Sequence, residues 1–168
     1  MIKDEEYYMG LALKEAEKAG LMDEVPVGAV IVRNGTVIAR AHNLREKNKQ
    51  AYAHAEFLAI QKASRKLGTW CLDDCDLYVT LEPCMMCAGA ISLARIHTLY
   101  YGAADPKAGV IESVMTLRDV KHVGVYPREI HAGLLREKCS TILTEFFREK
   151  RKKPKRNRAN FNTEDPVK

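Results

Sequence analysis

His54-Ala55-Glu56, inside the run AYAHAEFLAI, is answered further along the chain by Pro83-Cys84-Met85-Met86-Cys87, inside TLEPCMMCAGAI. One imidazole and two thiolates are good zinc ligands, and three protein ligands leave a fourth position open for water. A structural site is normally closed by a fourth protein ligand. The pattern therefore predicts a catalytic centre, with one zinc per chain on His54, Cys84 and Cys87. Glu56, two residues past the histidine, supplies the carboxylate that an activated water needs to carry its proton.

Both halves of the pattern fall at expected helix starts. Cysteines three apart share a helix face, and a helix N-terminus favours thiolate over thiol. His54 and Glu56 stand two apart and would not share a face within a regular helix. At a helix entrance the first residue need not be helical, so both can face one pocket, with Glu56 beside the metal and not on it.

Such a centre needs a scaffold that brings two helix entrances together. Apolar residues at Met9, Ala12, Leu13, Ala16 and Ala19 predict a helix over 2–21. The β-branched run Val27–Val32, the pair Asn34-Gly35 and the run Val37-Ile38-Ala39 predict a hairpin. Residues 44–50 are polar and read as a loop. Helical spacing resumes from Tyr52 to Leu67, with Gly68 as its stop. Leu77–Thr80 reads as a strand, Cys84–Ala94 as a buried helix of small residues, and Thr98–Gly102 as a strand. A short helix over 112–117, a strand near 128–131 and a helix from Leu134 to about Lys150 complete the chain. This alternation predicts an α/β fold with a sheet between helical layers.

A chain of 168 residues, 29% charged and 46% hydrophobic, suits one soluble domain over 1–150. No stretch approaches the roughly 20 apolar residues needed to span a bilayer. The start, MIKDEEYYMG, is acidic without an apolar signal core. Five cysteines, an odd number, fit a reducing cytoplasm better than a disulfide framework. The net charge of +5 is concentrated: Arg148 to Arg158 holds eight Lys or Arg against Glu149 alone. Residues 151–168 form a basic tail that lacks hydrophobic periodicity and is expected to be disordered. Such a run tracks nucleic-acid phosphates or stays a solvated extension.

Other readings of the same residues exist. Cys84-x-x-Cys87 alone fits a redox dithiol, but that leaves His54-x-Glu56 unexplained. Cys71 and Cys75 would complete a four-sulfur structural zinc, in a nucleic-acid-binding module without activity, if the strand over 77–80 bent back sharply. His42, His97, His122 and His131 have no partner at ligand spacing, and Cys139 reads as an inert helix residue.

The blocks EVPVGAV (24–30), ARAHN (39–43), AHAE (53–56), LYVTLEPCMMCAGAI (77–91) and YGAADPKAG (101–109) carry a resemblance. Over most of 9–147 the chain resembles the bacterial tRNA-specific adenosine deaminases of the zinc-dependent cytidine deaminase superfamily. The resemblance implies a three-layer α/β/α fold with a central five-stranded mixed sheet, and a homodimer. It implies conversion of the wobble adenosine of a tRNA anticodon loop to inosine, with zinc on His54, Cys84 and Cys87 and Glu56 as proton shuttle. It also implies that Asn43 contacts the target nucleoside, Val27 lines the base pocket, and Asp105 lies close to the flanking RNA. Phe146 would belong to a C-terminal helix that shapes the loop-binding surface. The rival within the class is a deaminase of free guanine, cytosine or cytidine, which needs no basic surface. Two departures fall on the expected RNA-facing rim: Val110-Ile111-Glu112-Ser113 replaces a Gly-Ser-type turn, and Tyr126-Pro127 stands near the family's Asn-His.

Overall fold

The structure, a computed structural model, describes residues 4–116 and 127–152. Asp4 opens the first helix, its carboxylate accepting the Tyr7 N–H at 2.8 Å, and α1 runs over Glu5–Leu21. The buried face of α1 is Tyr8, Met9, Leu11, Ala12, Glu15, Ala16 and Ala19. The hairpin follows as β1 (Gly28–Arg33) and β2 (Thr36–His42). Its turn places Asn34 and Gly35 at φ 50° and 71°, the left-handed region these two residue types enter most readily.

After β2 comes a single helical turn, α2 (Arg45–Asn48), then α3 (Ala55–Leu67), β3 (Cys75–Leu81), α4 (Met85–Leu93), β4 (Thr98–Ala103), β5 (Glu129–Ala132) and α5 (Arg136–Lys152). The five strands form one mixed sheet in the order β2-β1-β3-β4-β5. β1 is antiparallel to β2 and β3, whereas β3, β4 and β5 run parallel. Strand β1 lies inside the sheet, between β2 and β3, and is buried on both faces, which is why its sequence is continuously apolar instead of alternating. Ala29 and Ile31 enter one core with Ala55, Ala59 and Ala63 of α3 and Ile91 of α4. Val30 and Val32 enter the other with Tyr8, Met9 and Ala12 of α1 and Cys139 of α5. Helices thus enclose the sheet on both sides, as the alternation of elements predicts.

Three segments differ from the sequence expectation. Residues 45–48 are helical because Glu24, buried at 1% exposure, accepts the N–H groups of Glu46 at 3.2 Å and Lys47 at 2.7 Å. A carboxylate from another segment thereby does the work of a cap. Helix α3 begins at Ala55, not at Tyr52, because His54 is extended at φ −79° and ψ 154°. Residues 112–114 form turns and a bend and 115–116 are irregular, with no helix; the N–H groups of Glu112 and Ser113 go to Glu82 and that of Val114 to Gly109 O. Leu117, Tyr126 and the tail from 153 onward lie outside the described residues, while Arg151 and Lys152 complete α5.

Helix α1 is tied to the end of β2 through Glu15, whose carboxylate meets Lys18 Nζ at 2.6 Å and His42 Nδ1 at 2.7 Å. Burial works against its ionisation, yet the hydrogen bonds from Lys18 and His42 hold the carboxyl below its ordinary range. A depressed carboxyl contributes stability above its unfolded pKa and loses it as pH falls through the folded value. Glu15→Gln should therefore be less stable than the parent at neutral pH and lose less stability between about pH 5 and about pH 3. Urea unfolding across that range checks this; an unchanged acid dependence would contradict it.

Candidate active site

His54 stands at the N-cap of α3, and Cys84 at the N-cap of α4, extended at φ −75° and ψ 173°. Cys87 is the third residue of α4. The two cysteines are thus not two members of one helix face. They meet because an N-cap side chain reaches the third helical residue, as in a capping box. Cys84 Sγ and Cys87 Sγ each lie 3.6 Å from His54 Nδ1. Tetrahedral zinc, with Zn–S near 2.3 Å and Zn–N near 2.0–2.1 Å, sets sulfur and nitrogen ligands about 3.6 Å apart. The three donors fit such an ion in chemistry and in spacing. Among the described residues this is the single cluster of three His, Cys, Asp or Glu side chains that could hold a metal.

The two sulfurs titrate as one system. The hydrogen bond from Cys87, with help from His54, pushes Cys84 down to about 4 against the effect of its partial burial. The same contact and burial push Cys87 up. One sulfur is thus held as thiolate, the form that ligates a metal.

Glu56 is the second residue of α3 and is 3% exposed. Its carboxyl faces the Cys87 thiol, and burial pushes it up to about 7. Its Oε2 is the one fully buried side-chain oxygen or nitrogen without a hydrogen-bond partner among the described residues. An unpaired buried polar atom costs on the order of 1–3 kcal/mol. Such an atom in a native structure calls for a reason, and a catalytic role is one.

His54 and Cys84 open onto a cavity of about 250 Å³. This is below the roughly 300–1,000 Å³ of drug-sized sites and on the scale of one base. Val27, Asn43, His54, Glu56, Cys84 and Asp105 all line it. Asn43 also holds the wall together: its Nδ2 donates to Val25 O and its Oδ1 accepts from Arg45 N–H, both at 3.3 Å. Asp105 Oδ1 accepts the N–H groups of Lys107 at 3.0 Å and Ala108 at 3.2 Å. Phe146 lies elsewhere, on α5, in a cavity of about 550 Å³ against Gly20 and Leu21 at the end of α1 and Pro26 beyond it. It also lines a wider groove, and Val25 and Glu46 belong to both that groove and the metal-side cavity.

Cys71 and Cys75 stay out of the cluster, which removes the four-sulfur reading. Cys75 is buried at the start of β3, its thiol pushed up to about 12 by burial and by Asp74. Cys139 is likewise buried, and burial pushes its thiol up to about 12. Sequence reasoning did not single out Glu24 and Glu82, two buried carboxylates on the cavity wall. Burial opposes ionisation of Glu82, but the Ser113 hydroxyl and the N–H groups of Glu112, Asp105 and Ser113 hold it below the usual carboxylate range. Both residues sit inside the blocks that carry the family resemblance, and that placement was the available signal.

A family model described as MafB19-like deaminase matches residues 3–151. The tRNA-specific adenosine deaminase of Bacillus subtilis (strain 168) is 49% identical over 158 residues, 94% of this chain and 98% of its own. That of Aquifex aeolicus (strain VF5) is 44% identical over 146 residues, 87% of this chain and 95% of its own. Among solved structures, a tRNA:A34 deaminase of A-to-I editing at the wobble position shares 47% identity with a TM-score of 0.79, covering 82% of this chain and 99% of that one. A guanine deaminase from Nitrosomonas europaea shares 25% identity with a TM-score of 0.72, over 87% of this chain and 86% of that one. The sheet order and the His-Cys-Cys cluster at two helix entrances define a deaminase of the cytidine deaminase-like fold. Within that class the chain belongs to the family of tRNA-specific adenosine deaminases.

Proposed function

We propose that the protein hydrolyses the exocyclic amine of the wobble adenosine in a tRNA anticodon loop, giving inosine and ammonia. The observation that carries this is the buried, half-unpaired carboxyl of Glu56 beside the His54–Cys84–Cys87 donors, at a cavity of base size. Those three donors would hold one zinc, whose chemistry when bound is to lower the pKa of a water to roughly 7. Glu56 takes the proton from that water, delivers it to N1 of the base and later assists the departing ammonia. Asn43 receives the nucleoside and Val27 packs on the base. Asp105 stands at the rim beside the flanking RNA, and Phe146 with α5 shapes the surface on which the loop rests.

The family supports RNA over a free base, and so does the basic run that begins on α5. Lys150 is fixed there by Asp23 at 2.7 Å. Large apolar side chains left exposed around α4, including Met85 at 61% and Leu93 at 72%, support a homodimer. Among the described residues no helix is long and apolar enough to cross a membrane. The tRNA substrate and the five unbridged cysteines support a cytoplasmic enzyme.

The test is incubation of the zinc-loaded protein with an anticodon stem-loop bearing a wobble adenosine, in parallel with free adenosine, cytidine, cytosine and guanine. Inosine in the stem-loop alone is the expected result. Turnover of a free base with the stem-loop untouched would keep the metal chemistry and overturn the RNA substrate.

The salt bridge ties Lys150 to Asp23, just past the end of α1, and α5 runs to Lys152, so a clean removal of the tail begins after Lys152. Deleting 153–168 removes Lys153, Lys155, Arg156 and Arg158 with the rest of the tail. It should weaken stem-loop binding and flatten the log–log salt dependence by roughly 2–3 in slope, with kcat at saturating RNA unchanged. An unchanged slope would make the tail a bystander.

A further inference from the structure

Glu82 stands immediately before Pro83, on the turn that carries Cys84, and is 2% exposed. Its carboxylate is saturated by one loop. Oε1 accepts the N–H groups of Ile111 at 3.0 Å, Glu112 at 2.7 Å and Ser113 at 3.0 Å. Oε2 accepts the Asp105 N–H at 3.0 Å and the Ser113 hydroxyl. Backbone contacts reinforce the same junction. Glu82 N–H donates to Ala103 O at 2.8 Å, Val110 N–H donates to Pro83 O at 3.1 Å, and Cys84 pairs with Gly109 in an isolated antiparallel bridge. A Cβ on Gly109 would overlap the Glu82 carboxylate and come within 2.7 Å of Asp105 O, so the carboxylate fits only because residue 109 is glycine.

The held loop is the rim of the cavity, contributing Asp105 and Ala108 to its wall. Residues 104–116 contain no named helix or strand that would fix them independently. Four of the five donors to Glu82 are backbone N–H groups, which every residue but proline carries. The loop can therefore depart from a Gly-Ser-type turn at 110–113 and stay anchored, its Val110 and Ile111 side chains buried at 4% and 3% exposure.

We propose that Glu82 is a positioning residue for RNA: it locks the 105–113 rim to the Cys84 turn, so that the flanking nucleotides and the base register against the metal donors as one rigid unit. This rests on the tRNA reading above. Glutamine at 82 keeps the shape but turns an NH2 group towards donors, and cannot satisfy both halves of the loop. In zinc-loaded Glu82→Gln, KM for the stem-loop should rise roughly tenfold while kcat changes less than about threefold. Zinc should remain at one per chain. Amide exchange should accelerate at 105–113 and not in β3 or β4.

Ser113→Ala removes one bond to the same carboxylate and should raise KM in the same direction by roughly threefold. It decides the matter if Glu82→Gln does not fold. An unchanged KM, a loss of zinc, or exchange rising equally across β3 and β4 would overturn the proposal and leave Glu82 as a support of the fold. A parent protein inactive on the stem-loop would instead sink the substrate reading, while the exchange pattern would still show whether Glu82 holds the rim.

Discussion

Glu56→Gln should form no detectable inosine while binding zinc as the parent does. Glutamine has the shape of the side chain but cannot take up and return a proton, and a positioned acid–base group contributes on the order of 10²–10⁴ in rate. Here the same carboxyl is assigned three successive transfers, so kcat should fall by at least about 10³-fold. Stability should not fall with it. The parent buries a carboxyl whose Oε2 has no partner among the described residues, and a neutral amide is easier to bury than a charge. Metal analysis and single-turnover assay on one preparation check both halves. Loss of zinc in this variant would mean that Glu56 is a ligand, contrary to the assignment.

Cys87→Ala should fail in the complementary way. Cys87 is fully buried and supplies one of three donors, so zinc affinity should drop by at least about 100-fold, with activity lost alongside it. The metal-free fold should suffer less, by about 1 kcal/mol, since one sulfur leaves a small gap beside Ala88. A ligand that binds only the native state raises stability according to its affinity. The zinc-dependent rise in Tm should therefore vanish in Cys87→Ala and persist in Glu56→Gln. Calorimetry with and without added zinc separates the two. One tight zinc per chain in Cys87→Ala would place the metal elsewhere.

The sequence was legible where a short pattern fixes a local geometry. Asn34-Gly35 marks its hairpin because few other pairs tolerate two successive positive φ angles. The His-x-Glu and Pro-Cys-x-x-Cys pairs mark two helix entrances, where an extended N-cap residue (His54, Cys84) can turn its side chain towards a residue of the first turn (Glu56, Cys87). What escaped was set by contacts distant in sequence. α2 is helical through Glu24, about twenty residues upstream, and the N–H groups of Glu112 and Ser113 are taken by Glu82, far upstream in the chain. Periodicity reads a glutamate as a surface residue, so neither buried carboxylate announced itself. The expectation that the two cysteines share a helix face does not hold, since Cys84 stands at the N-cap of α4 and only Cys87 lies within the helix. Phe146 was assigned by resemblance, and its position on a groove adjoining the cavity follows only from the packing of α5 against the end of α1.

In the proposed reaction water, handled by Glu56 beside the metal donors, replaces the amine of a wobble adenosine. The most direct measurement is a single turnover on the anticodon stem-loop in heavy-oxygen water, with Glu56→Gln as the blank, followed by mass analysis of the isolated nucleoside. Inosine carrying one heavy oxygen is expected from the parent and unaltered adenosine from the variant. Unaltered adenosine in the parent, inosine without the label, or labelled inosine in Glu56→Gln at the parent rate would contradict that reaction.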